Sequence, residues 1–187
     1  MKTKCFWLVV GVLASISPAP LSLAASPSEP EFESLPRQDY YDLLRKAERA
    51  TRDKGSTDIS ELEKRLACAG NQASQAVLAS LYFGGQGIGK DDLAGYAWLK
   101  LASASGLPRF KQLVETLDKS MTADQRATAD AKVAALQALY GPAATHMTCT
   151  KAEATGSHMQ ELRCEPEHVN TTGTLVWLKR CVQGSQP

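Results

Sequence analysis

Residues 69–106 constrain the fold more than any other part of the chain. Ala69-Gly70-Asn71-Gln72-Ala73-Ser74-Gln75-Ala76-Val77-Leu78-Ala79-Ser80-Leu81-Tyr82-Phe83 carries apolar residues at helical spacing. Gly84-Gly85-Gln86-Gly87-Ile88-Gly89 then breaks the pattern, and a second amphipathic run follows from Asp91 with Leu93, Ala97, Trp98 and Leu101 on one side. Small residues (Ala73, Ala76, Ala97, Ala102) face large ones (Leu78, Leu81, Tyr82, Trp98), so two helices can approach closely. The segment predicts an antiparallel helical hairpin.

Gly70 and Gly106 lie 36 residues apart, a helical-repeat period, with Leu66-Ala67-Cys68-Ala69 aligning on Ala102-Ser103-Ala104-Ser105 and Val77 on Leu113. In its order of Gly70-Asn71, Ala73, Leu78, Leu81-Tyr82, the glycines from Gly84 to Gly87, Ile88, Asp91, Ala97, Trp98-Leu99, Ala102 and Gly106, the segment resembles the Sel1-like repeat, a relative of the tetratricopeptide repeat. The resemblance implies a right-handed stack of antiparallel helix pairs, a fragment of an α-solenoid. It also implies membership of a group that mostly acts as protein-binding adaptors, with some members tied to enzymatic or cell-envelope roles. Ala79 stands where such repeats often carry glycine, and a single clear repeat is too short to build a long concave groove.

The flanks extend the helical pattern. From Gln38 to Arg52, Tyr40, Leu43, Leu44, Ala47 and Ala50 share a stripe, with Gly55 as a stop. Asp58 and Glu61 form a capping-box pattern ahead of Ile59, Leu62, Leu66 and Ala69. After Pro108, Phe110 to Leu117 reads as the first helix of a third repeat. Thr122 and Gln125 form a second capping box, opening a helix with Val133, Leu136, Leu139 and Tyr140 and stopping at Gly141-Pro142.

Beyond Pro142 the composition turns to threonine, histidine and cysteine, which predicts a small β-rich module over 143–187. Thr155-Gly156-Ser157-His158 suits a two-residue hairpin turn. Stepping outward pair by pair from that turn sets Cys149 opposite Cys164, within disulfide range. The β-rich run Thr174–Val182 supplies a candidate third strand. Elimination leaves Cys181 for Cys68, although Cys68 also sits where a repeat helix holds a small buried residue and reads equally as a packed thiol. The expected class is therefore mostly α, with helix pairs over 37–142 and a disulfide-linked hairpin or three-stranded element after them.

At the N-terminus, Lys2 and Lys4 precede the uncharged apolar run Cys5–Ile16, then Pro18, Pro20 and the small residues Ser22, Ala24 and Ala25. That order matches a secretory signal over 1–25, cleaved after Ala24 or Ala25, and the apolar run is short for a membrane-spanning helix. Cleavage would leave Cys68, Cys149, Cys164 and Cys181 in a compartment where disulfides persist, periplasmic or secreted. The proline-rich stretch 26–36 reads as an extended linker. The chain has 21 Lys+Arg against 20 Asp+Glu, so no overall positive field draws it to nucleic acid or an anionic bilayer.

Gly84 to Lys90 fits the spacing of a phosphate-cradling loop, but Asp91 replaces the hydroxyl residue that would reach magnesium, and a helix pattern precedes it where a strand is needed. His146, Cys149, Cys164 and His168 have the types and spacing of a zinc site, which competes with the disulfide for the same two sulfurs. No Gly-x-Ser-x-Gly elbow or His-paired nucleophile is present. Tyr82, Tyr96 and Trp98 read as interhelical core before recognition surface, and Lys111, Lys119 and Arg126 as a solvated face. The expectation is an exported, non-catalytic scaffold with no cofactor, binding a protein or envelope component. The alternatives are a peptidoglycan- or β-lactam-directed hydrolase, or a zinc-binding C-terminal module.

Overall fold

The computed structural model describes residues 31–53, 59–154, 156 and 159–182. In chain order these form β1 (Phe32–Pro36), α1 (Arg37–Arg52), α2 (Ile59–Cys68), α3 (Gln72–Gly84), α4 (Asp92–Ser103), α5 (Pro108–Ser120), α6 (Ala123–Tyr140), β2 (Met147–Glu153), β3 (Gln160–Pro166) and β4 (Leu175–Lys179). The expected cap at Asp58 and stop at Gly55 lie outside the described residues.

The helical hairpin α3–α4 forms as the sequence predicts. Asn71 caps α3 by accepting from the Ser74 amide at 3.1 Å, and Asp91 caps α4 by accepting from the Leu93 and Ala94 amides at 3.0 and 2.9 Å. The helices touch where the side chain vanishes: a Cβ on Gly95 would sit 2.8 Å from the Phe83 ring. Helix α4 is the centre of the stack, packed against α3, α5 and α6, and Trp98 stacks on Tyr140 of α6 at 5.5 Å between rings. The Thr122–Gln125 capping box is present in both directions, at 2.9 and 3.3 Å. One expectation changes here: α6 lies chiefly on α4 and does not close a second tight hairpin with α5. Arg126, its side chain 43% exposed, ties α6 to α5 by donating to the Asp118 carbonyl and standing 3.5 Å from its carboxylate.

A second core lies under α1 and α2, made by Tyr40, Leu43, Ala47, Leu66 and Ala69 with Met147, Cys164, Val176 and Leu178. Its far wall is β structure. Strands β2 and β3 pair antiparallel in the predicted register, Cys149 opposite Cys164 and joined to it. Of the predicted turn, Thr155, Ser157 and His158 lie outside the described residues, but Ala154 donates to the Met159 carbonyl at 2.9 Å in the same register.

Two further expectations are corrected. Strand β4 does not extend the hairpin ladder as a third C-terminal strand; it pairs antiparallel with β1, from Phe32↔Lys179 to Pro36↔Leu175. Residues 32–36, which composition assigns to a linker, are thus a paired strand. Proline is tolerated there because Pro36 ends the strand and needs no ladder amide. Glu167 welds the two sheets: its amide donates to the His146 carbonyl at 2.7 Å while its carbonyl accepts from Trp177 at 3.0 Å. The composition change at Pro142 therefore marks no break in packing, since residues beyond it complete the core beneath α1 and α2.

Candidate functional site

The repeat residues singled out by sequence divide by exposure. Leu78, Leu81, Tyr82, Ala97, Trp98 and Ala102 are buried in the helical core, and Tyr96 with them, so the aromatics pack between helices and offer no recognition surface. Burial pushes ionisation of the Tyr82 hydroxyl up. Tyr96 shifts the same way, first through burial and then because its hydroxyl donates to Asp118 at 2.6 Å. Ala73 is half-buried. Gly70, Gly84, Gly87 and Gly106 sit at helix ends and in the α3–α4 connection.

Residues 84–90 follow α3, so no strand delivers them to a phosphate. Asp91 spends its carboxylate on the α4 amides, and Lys90 lies 3.4 Å from Asp92 at the surface.

The four-residue zinc alternative loses its two thiolates. Cys149 and Cys164 form one disulfide, and Cys68 and Cys181 form the other across 113 positions. His146 places Nδ1 2.5 Å from a Glu167 carboxylate oxygen and stacks edge-on against Phe32, and His168 bridges backbone with Val176. Among the described residues no group of three His, Cys, Asp or Glu side chains converges in a way that would hold a metal ion.

Of the concave surfaces among the described residues, two border α3. The first, about 260 Å³, runs between α3 and α5 over α4 and is lined by Ala76, Ala79, Phe83, Leu99, Leu113 and Leu117, with Ser80 and Thr116 at its edge. Small side chains on α3 open it, and Leu113 is 52% exposed beside it, a large apolar group left in water.

The second is a cleft of about 550 Å³ between α1 and α3, closed on one side by residues 161–165 of β3. Its floor holds Glu63, 4% exposed, which accepts from the Thr51 hydroxyl at 3.0 Å. Burial raises the Glu63 pKa, and hydrogen bonds from Ser74 and Thr51 offset part of that rise. Sequence reading missed this cleft. A carboxylate beside the apolar stripe of α2, one residue after Leu62, was the only available signal.

No protein-family model matches the chain, and no curated protein matches it. Among solved structures, it is similar to a protective antigen present in uropathogenic Escherichia coli strains and displaying an SLR fold, at 22% sequence identity and a TM-score of 0.48. The similarity covers 55% of this chain and 23% of that one, so the chain spans about a quarter of the antigen's length.

Proposed function

We propose that the protein is an exported, non-catalytic scaffold that holds another protein of the cell envelope against the apolar groove between α3 and α5. The observation that carries this reading is Leu113, half in water at the rim of a groove walled by alanine, leucine and phenylalanine. A partner that covers Leu113 and enters the groove gains by removing apolar surface from water. Helices α3, α4 and α5 hold the groove through packed side chains, so little ordering entropy opposes binding.

Export is supported by the N-terminal order of basic, apolar and small residues and by two disulfides that suit an oxidising compartment. Among the described residues no helix is long and apolar enough to cross a membrane.

The test is photocrosslinking in the native envelope. A photoreactive residue at Leu113 should give a discrete adduct that the same residue at exposed Lys119 does not. Adducts of equal pattern from both positions, or turnover of muropeptides or a β-lactam by the purified protein, would overturn the reading.

A further inference from the structure

The β2–β3 ladder leaves one set of main-chain groups facing away from it. Ala154 donates to Met159, and Glu167 donates to His146, so the hydrogen-bonded pairs are those with odd numbers on β3. Cys149 and Cys164 therefore form a non-bonded pair, in keeping with their 4.0 Å Cα separation. The N–H and C=O groups of Gln160, Leu162 and Cys164 consequently point off the outer edge of β3. Two of these groups are taken: the Gln160 carbonyl accepts from Arg109 at 3.2 Å, and the Cys164 carbonyl accepts from Tyr40 at 2.7 Å. Between them the Leu162 N–H and C=O and the Cys164 N–H make a short stretch of strand edge with no hydrogen-bond partner among the described residues, Leu162 half-buried and Cys164 buried.

That stretch borders the α1–α3 cleft, since residues 161–165 are one of its walls. A strand edge beside a helical groove is the arrangement by which folded domains add an extended peptide to a sheet. The cleft supplies both kinds of side-chain contact. Leu44, Val77 and Leu162 give it an apolar surface, while Glu48, Glu63, Glu161 and Glu165 outnumber Arg52 and Arg163. Arg163 is itself drawn to Glu161 at 3.5 Å.

From this geometry we propose that the edge of β3 at Leu162 binds an extended peptide segment bearing a lysine or arginine, which pairs with the main chain of Leu162 and Cys164 and sets its cation among the cleft carboxylates. This site is separate from the α3–α5 groove and stands or falls independently of it. The open stretch fits about three residues of strand, because the edge between its two closed carbonyls spans roughly 13 Å at strand rise. The alternating Glu161, Arg163 and Glu165 select among partners by charge and discourage pairing with a second copy of the same edge.

The test uses the full-length, disulfide-bonded protein, amide hydrogen exchange read by NMR, and three probes. These are acetyl-Thr-Val-Lys-Val-Thr-amide, the same peptide with Glu for Lys, and the Lys peptide with both valines N-methylated. The Lys peptide is expected to slow exchange at Leu162 and Cys164. The Glu and N-methyl peptides are expected to bind at least about tenfold more weakly, as loss of a charge contact or a ladder hydrogen bond requires. The double variant Glu48→Lys, Glu161→Lys, at an exposed and a half-buried position, is expected to reverse the Lys-over-Glu preference.

Absence of protection with every peptide would overturn the proposal, as would equal binding of the N-methylated probe. Protection on β2 at Cys149 and Lys151 instead would also overturn it. So would protection that appears without peptide and grows with protein concentration, which would make the occupant a second copy.

Discussion

Glu63 sits at the floor of a cleft, nearly sealed from water, with hydroxyl partners and, among the described residues, no cation bonded to it. Because its folded pKa is raised above 4.5, the folded state binds a proton more readily than the unfolded chain. Stability is therefore greatest below the unfolded pKa and falls as pH rises through the folded one. Glu63→Gln is expected to have the higher melting temperature at pH 7, with the two proteins converging below pH 4.5, as thermal melts across that range will reveal. Equal melting temperatures at both ends would contradict it. Gln75 is the counterexample of a buried polar side chain whose amide nitrogen is matched, donating to the Ala67 and Tyr140 carbonyls at 3.2 and 3.1 Å. Neither residue's burial was legible in the sequence. A glutamate or glutamine one position off an apolar stripe looks solvated until the third element packing over it is known.

Among the elements, those stabilised by neighbours in sequence were the readable ones. The caps at Asp91 and Thr122 need partners two or three residues away, and the β2–β3 register follows from one turn. Strand β1 was not readable, because its stretch of proline and acid becomes a strand only against β4, some 140 residues later. The α2–α3 turn combines both kinds of determinant. Gly70 has φ +93°, a conformation that L side chains rarely adopt, and a Cβ there would collide with Thr145, which follows α6. Gly70→Ala is expected to destabilise by more than about 1 kcal/mol in urea unfolding. Adding Thr145→Ala should recover only part of that loss, because the Thr145 Cβ itself would stand 2.7 Å from the new methyl and the conformational part is untouched. Full recovery would mean that the backbone at Gly70 is under no constraint of its own.

On the scale of the molecule, two disulfides close loops of different size, across 113 and 15 positions. If chain entropy governs their effect, removing the Cys68–Cys181 link with paired serines should cost roughly 4–5 kcal/mol and removing Cys149–Cys164 about 3 kcal/mol. Denaturant titrations of the two double variants will order them, and a reversed order would refute the entropic account. The candidate sites divide along the same line of locality. The α3–α5 groove lies within the helical segment that the sequence marks, although its position was not read there, whereas the cleft joins α1, α3 and β3, a combination that no local motif encodes.

Strand β1 finds its mate in the last strand described, and this sets an order of events for a polypeptide made from its amino end. The closing sheet cannot assemble until a ribosome or translocation channel has released the residues through Lys179. Up to that moment Tyr40, Leu43 and Leu66 wait without the Val176 and Leu178 that later roof them. Whatever escorts the half-made molecule must shelter that greasy patch, and the final stitch is the one that lets go of the escort.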